Sequence, residues 1–389
     1  MPQYRSVGDV SRKRHTKHRQ PDGRLYYEEL MGSRGFSGES SLLYHRESPS
    51  AIVAADAVGE QVVGLVPDHP VVPRHLRTPS LTPGGDPVLD RHVLLGNADV
   101  RMAWVAADRS SGLYRNACGD ELVYVQRGTA TLQTSFGELA VAAGDYVVIP
   151  TGTTQRWLIE EGSSLEAVVF EAAGHVQPPA RYLSEHGQFL EHAPYCERDI
   201  RMPLETLVVD DADVPVLVRT TQGLSRLVHA NHPFDVAGWD GCLYPWAFNI
   251  ADFEPIVGRV HQPPPVHQTF AGPNFVICSF VPRLFDFHPD AVKVPYHHAN
   301  VDSDEVLFYS AGNFMSRTGS GIGVGSISFH PAGFVHGPQP GSIERAEGVD
   351  RTEEVAVMLD TFRPLGVSHA GRTISDPDYA WTWAGGRRG

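Results

Sequence analysis

One spacing occurs twice in this chain, and few folds can satisfy it. In the first copy Glu121 is followed after six residues by Gly128, and then by Gly144, Pro150, Gly152 and Gln155. In the second copy Glu305 is followed after six residues by Gly312, and then by Gly325, Pro331, Gly333 and His336. From Gly144 to Gln155 and from Gly325 to His336 the offsets are identical. Glycine serves where the chain must turn tightly, and proline where a strand reaches the edge of its ladder. Two copies of one β-unit account for a repeat of this kind.

The surrounding sequence agrees. Short apolar runs alternate with turn residues: ELVYVQRGTATLQTS (121–135), GDYVVIP (144–150), SLEAVVFEA (164–172), FVICSFVP (275–282) and EVAVMLDTF (354–362). Such a series reads as an all-β sandwich or barrel. Amphipathic helical patterns are scarce, and the exception is PARYLSEHGQFLEH, which predicts a helix over 179–192. At 389 residues the chain is long enough for two domains. It has no run of 18 apolar residues, so no membrane span is expected, and MPQYRSVGDV at its start lacks an apolar signal core. Cys118, Cys196, Cys242 and Cys278 lie far apart without CxxC spacing. That pattern argues against a disulfide framework or a cysteine zinc site and fits a reducing cytoplasm. A net charge of −14 argues against a nucleic-acid partner, and the basic run RKRHTKHR at 12–19 reads as a solvated arm. The 19 histidines do not form a low-complexity tract, which points to metal or acid–base chemistry.

The two copies are similar to the paired motifs of the cupin barrel, H-x-H-x(3,4)-E-x(6)-G and G-x(5)-P-x-G-x(2)-H. The second copy reads His298, Ala299, Asn300, four more residues and Glu305, with asparagine in place of the second motif histidine. A buried carboxylate is costly unless it is paired or holds a metal. The candidate ligand set is therefore His298, Glu305 and His336, the facial triad of oxygen-activating non-haem Fe(II) sites. In the first copy Tyr114 and Gln155 stand at the histidine positions and only Glu121 remains, so that barrel is expected to be structural and metal-free. Asp302 and Asp304 are expected in a loop outside the site. The predicted fold is mainly all-β, a bicupin of two double-stranded β-helix (jelly-roll) barrels with an irregular N-terminal arm and few helices. Its expected divisions are an arm with short strands (1–90), a metal-free barrel (91–175), a linker with a helix (176–250), and an iron-bearing barrel with a C-terminal tail (251–389).

Over nearly its whole length the chain resembles the bacterial homogentisate 1,2-dioxygenase family. The resemblance rests on YRSVGDVSRKRHTKHRQPDG at the start, FSGESSLLYHRESPSAI at 36–52, VHQPPPVHQTF at 260–270, NFVICSFVPR, PYHHANVDSDEV and HPAGFVHGPQPG. It implies cleavage of an aromatic ring with O2 as co-substrate, homogentisate going to maleylacetoacetate in tyrosine and phenylalanine breakdown. It implies Fe(II) on His298, Glu305 and His336, a phenol base at His261 or its rival His267, and a second histidine, His330, donating to a developing oxyanion. It also implies a cytoplasmic homo-oligomer, trimer or hexamer. The family arginine that grips the substrate carboxylate falls at Ala311 here. Arg317 is the candidate substitute, with Tyr296, His297 and Phe314 beside it as further substrate contacts. The alternatives are a gentisate-type or other hydroquinone or catechol dioxygenase, and a non-catalytic bicupin binding protein.

Overall fold

In both halves the repeat glutamate stands at the start of a strand, Glu121–Thr134 and Asp304–Ala311. The computed structural model of the protein describes residues 3–59 and 63–385. Each of these strands is flanked by two antiparallel neighbours in the same register. Glu121 lies opposite Ile149 on one side and Glu171 on the other; Glu305 lies opposite His330 and Asp360. A bulge interrupts the ladder at the same offset in both, between Val125 and Arg127 and between Tyr309 and Ala311. The glycine that follows explains the repeat. Gly128 and Gly312 have φ of 86° and 87°. A Cβ at either would lie 1.9 Å from the Ser164 carbonyl oxygen or 1.7 Å from that of Glu353. Only glycine fits there.

Alternation along the strands decides which side chains enter each barrel. Val123 and Val125 point with Glu121 into the first barrel, against Leu132, Trp157 and Val169. Leu307 and Tyr309 point with Glu305 into the second, against Cys278 and Met358. The even-numbered residues Leu122, Tyr124, Val306 and Phe308 face the other way and share one apolar cluster, so the barrels meet through a common core. Two hydroxyl pairs cross that seam. Tyr124 Oη donates to Ser310 Oγ at 2.7 Å, and Tyr146 Oη lies 2.8 Å from Ser279 Oγ.

The first ninety residues supply strands to the barrels. Arg74–Arg77 adds an edge strand to the second barrel against Ser326–His330. Ile52–Val58 pairs with Gly223–Asn231. Arg5–Gly8, Tyr27–Gly32 and Ser40–His45 form a four-stranded sheet with Val236–Gly241. Among the described residues no helix is long and apolar enough to cross a membrane.

The helix expected over 179–192 is absent. A single 3-10 turn, Ala180–Tyr182, is followed by a bridge between Leu183 and Phe189 that turns through Gly187 at φ 80°. Tertiary anchors override the local pattern: Tyr182 Oη donates to the Pro265 carbonyl at 2.8 Å, and Phe189 packs 5.0 Å from Tyr195. The rest of 176–250 is mainly strand, including the hairpin of Ala212–Thr220 with Gly223–Asn231.

Where the second barrel gathers histidines, the first holds a guanidinium. Arg91 Nη1 and Nη2 donate to the two oxygens of Glu121 at 3.0 and 3.2 Å, and Nη1 also reaches Glu171 at 3.1 Å. Arg219 donates to the other Glu171 oxygen at 2.6 Å. Gln155 and Asn116 each add a hydrogen bond to Glu121 at 3.1 Å. Two carboxylates and two guanidiniums neutralise each other, and the set is buried. Removing one member of such a network strands the opposite charge, at a cost of about 3–5 kcal/mol. Arg91→Met should lose about that much stability in chemical denaturation; a loss well under 1 kcal/mol would show that the network is not needed.

A second buried network ties the arm down. His45 lies between Asp235 and Glu29, with Nε2 2.9 Å from the Glu29 carboxylate. Burial alone pushes this imidazole down, but its hydrogen bonds to Asp235 and Glu29 outweigh that and raise it to about 9. The stabilisation is full below the ordinary imidazole value and is lost as pH rises through about 9. The difference in unfolding free energy between wild type and His45→Gln should therefore shrink from pH 6 to pH 9.5. A constant difference would contradict the charged state of His45.

Candidate metal centre and cavity

His298 and His336 sit on irregular segments rather than on the flanking strands, yet they are held in register. The two residues form an isolated antiparallel bridge, each backbone N–H donating to the other's carbonyl at 2.8 and 2.9 Å. Each ring is then fixed by the carbonyl two residues earlier in its own segment. His298 Nδ1 lies 3.0 Å from the Tyr296 oxygen, and His336 Nδ1 lies 3.1 Å from that of Phe334. A carbonyl only accepts, so each Nδ1 donates to it and each Nε2 is the nitrogen left to face the carboxylate.

Both Nε2 atoms face Glu305. His336 Nε2 is 3.1 Å from Oε1, and His298 Nε2 is 3.5 Å from Oε2. One ligand atom from each of the three residues lies within 4.8 Å of the others. Lone pairs aimed at a carboxylate are stable only with a cation or a proton between them. The donor set therefore fits a divalent metal bound by two imidazoles and one carboxylate. Burial raises Glu305, but its hydrogen bonds to His298, His330 and His336 outweigh it and hold the carboxyl well below its usual range.

His330 stands behind this set. It is fully buried, with Nδ1 3.0 Å from Glu305 Oε1 and Nε2 3.3 Å from the Tyr379 hydroxyl. Burial pushes its imidazole down to about 3, so the ring is neutral and Nδ1–H donates to the carboxylate. It lies beside the Glu305 carboxylate and does not line the cavity, so the structure does not bring it to where the oxyanion donor expected of it would act. Asp304, expected in a loop, is instead buried at the head of the Glu305 strand. It accepts the Ala332 N–H at 2.8 Å and the Leu365 N–H at 2.7 Å, which pins two loops beside the site. Asp302 is exposed, as its loop position implies.

A cavity of about 260 Å³ opens from His298 and Glu305. That is near the lower end of ligand pockets, which span about 300–1,000 Å³, and suits a single ring. Both candidate bases line it. His261 is half exposed and its Nδ1 lies 3.3 Å from Asp286, with Tyr296 edge-on at 5.1 Å. His267 is pushed down to about 3, first by burial and then by the Arg283 charge, and its buried Nδ1 has no partner. Arg317 also reaches the wall, but it is committed: Nε donates to the Tyr309 hydroxyl and Nη1 to the Gly337 carbonyl, both at 2.9 Å.

The structure does not bring His297 or Phe314 to this wall. His297 lies against Gly337, and Phe314 packs edge-on to Tyr309 at 4.9 Å in the core. Several polar residues of the site, Asp286 and Lys293 among them, carried no motif. Arg283 and Glu354 line the cavity. Asp360, opposite Glu305, has a buried Oδ1 without a hydrogen-bond partner, and burial, then the Glu305 charge, pushes its carboxyl up to about 8. Only Asp360 had a usable signal, since the repeat places an acid, Glu171, at the matching position of the first copy.

Residues 93–250 match the family model described as the N-terminal part of homogentisate 1,2-dioxygenase. "Putative dioxygenase SSO1533" of Saccharolobus solfataricus is 38% identical over 384 residues, covering 98% of each chain. Homogentisate 1,2-dioxygenases of Emericella nidulans and Bradyrhizobium diazoefficiens are 25% and 26% identical, over 68% and 70% of this chain and 61% and 62% of their own length. Among solved structures, protein Ylba from E. coli aligns with 76% of this chain and 93% of its own, at 11% identity and a TM-score of 0.37. The relative at 38% identity over 98% of each chain shows that the chain belongs to a dioxygenase family, and the match of residues 93–250 ties that family to homogentisate 1,2-dioxygenase.

Proposed function

We propose that the protein is an Fe(II)-dependent ring-cleaving dioxygenase, with homogentisate as its first candidate substrate. The observation that carries the reading is the convergence of two imidazole Nε2 atoms and one carboxylate beside a cavity sized for one ring, which His298 and Glu305 line. His298, Glu305 and His336 would hold the iron, with His330 fixing the carboxylate from behind. When bound, the metal supplies a route by which dioxygen reacts with an aromatic ring, a reaction slow without one. The remaining steps belong to the chain's own side chains. Asp286 orients His261 through Nδ1, which leaves Nε2 free to take the phenol proton. His267, neutral and unpartnered at Nδ1, is set to hydrogen-bond the ring substituents. The same reading makes the protein a cytoplasmic homo-oligomer of tyrosine and phenylalanine breakdown, with a small aromatic partner and no nucleic-acid or membrane partner.

An acetate arm on the ring needs a charged partner in so enclosed a site. Among the described residues no carboxylate lies within ion-pairing distance of Arg283, whose Nη1 is bonded only to the Val281 carbonyl at 3.2 Å. Arg283 is therefore the better partner for the arm, and Arg317 a brace that holds Gly337 next to the ligand His336.

Three measurements test this reading. Metal analysis of His336→Ala should show iron largely lost, whereas Gln155→Ala in the first barrel should keep it; iron retained by His336→Ala would sink the assignment. His261→Gln should lower turnover by roughly 10²–10⁴-fold with iron still bound, the usual worth of a positioned base. Near-normal turnover would move that role to His267. Arg283→Met should raise KM for homogentisate and spare methylhydroquinone, whereas Arg317→Met should impair both. Equal losses on both substrates in Arg283→Met would remove the arginine from substrate recognition.

A further inference from the structure

The register of the two barrels sets each repeat glutamate beside a second acid on the next strand. Directly opposed residues of an antiparallel pair share a face, so both acids point into the barrel. In the first barrel that pair is Glu121 and Glu171, and Arg91 Nη1 bridges them at 3.0 and 3.1 Å. Arg219 completes the neutralisation. In the second barrel the pair is Glu305 and Asp360. Here no arginine bridges the two acids. Asp360 Oδ1 is buried without a hydrogen-bond partner, and among the described residues no cationic group lies within ion-pairing distance of this carboxylate. A buried acid left this way holds a proton unless a cation that the chain itself does not provide takes that proton's place.

We propose that Asp360 is the outer carboxylate of the metal centre. Once an ion is bound, Asp360 and Glu305 together present the two negative charges that one divalent ion neutralises, as two guanidiniums neutralise the matching pair in the first barrel. The inference rests on the metal-centre reading above and adds to it a residue outside the facial triad. The three ligand atoms close together come from His298, Glu305 and His336 alone. Asp360 therefore acts on the ion from outside that set, as a positioning residue. Outer partners of this kind typically contribute 10–100-fold to metal affinity.

The test uses the full-length metal-free protein, titrated with Mn(II) and followed by electron paramagnetic resonance and calorimetry. Asp360→Asn keeps the shape and removes the charge, and it should weaken Mn(II) binding by about 10–100-fold. Asp360→Glu, the acid that the first barrel carries at this register, should restore most of that affinity. Wild-type affinity in Asp360→Asn would overturn the inference and leave the triad reading standing. So would failure of both variants to fold, since that would show a purely structural carboxylate. No Mn(II) bound by the wild type, with His336→Ala indistinguishable from it, would overturn the triad reading as well.

Discussion

A carboxylate buried inside a β-barrel must meet positive charge, and this protein sets that requirement twice. Glu121 and Glu305 occupy the same register, and both are almost fully buried. An isolated buried carboxylate would cost several kcal/mol, a large share of the roughly 5–15 kcal/mol by which a domain is stable. The first barrel meets the requirement with Arg91, Gln155 and Asn116, all supplied by the chain. The second meets it with three imidazoles, two of which turn Nε2 toward the carboxylate so that a proton or a cation can sit between them. One frame thus yields a closed ion network in one barrel and an open donor set in the other.

The donor set depends on devices far from it in sequence. His298 and His336 lie 38 positions apart and would be two loose loop histidines without the backbone bridge between them. Arg317 holds the Gly337 carbonyl, one residue past His336, while Asp304 ties Ala332 and Leu365 to the head of the Glu305 strand. None of these contacts is made by a ligand's own side chain. Each reduces the freedom that a ligand segment would lose on binding an ion, which is how preorganisation becomes affinity.

How much of this could be read from the sequence follows from the range of each interaction. The turns were legible because a positive φ is a local demand, and Gly128 and Gly312 answer it within their own strands. The triad was legible because its three members keep motif spacing. The helix over 179–192 was misread because Tyr182 and Phe189 are held by Pro265 and Tyr195, contacts that no local pattern reports. Phe314 was misplaced for a related reason, since its neighbour on the face of Tyr309 is set by packing and not by distance along the chain. Arg283 reaches the cavity from the short strand Arg283–Leu284 and Glu354 from the connection just before Val355–Thr361, and both facings are settled only when the barrel closes.

The closed network leaves the first barrel with its buried charges paired beside a barrel that gathers imidazoles. The strand carrying Glu305 turns its other face, through Val306 and Phe308, into the apolar cluster shared with the first barrel. Tyr124 and Tyr146 cross the seam to Ser310 and Ser279, so the outer face of the second barrel rests on side chains whose polar atoms are already bonded. On the cavity side the ligand set opens toward His261 and Tyr296, which are both exposed. A charge introduced in that cavity therefore feels a low-dielectric wall on one side and solvent on the other, and the groups that line it, Arg283 above all, act at short range. In this arrangement the first barrel, its charges paired within, presents an apolar face to the strand that carries Glu305.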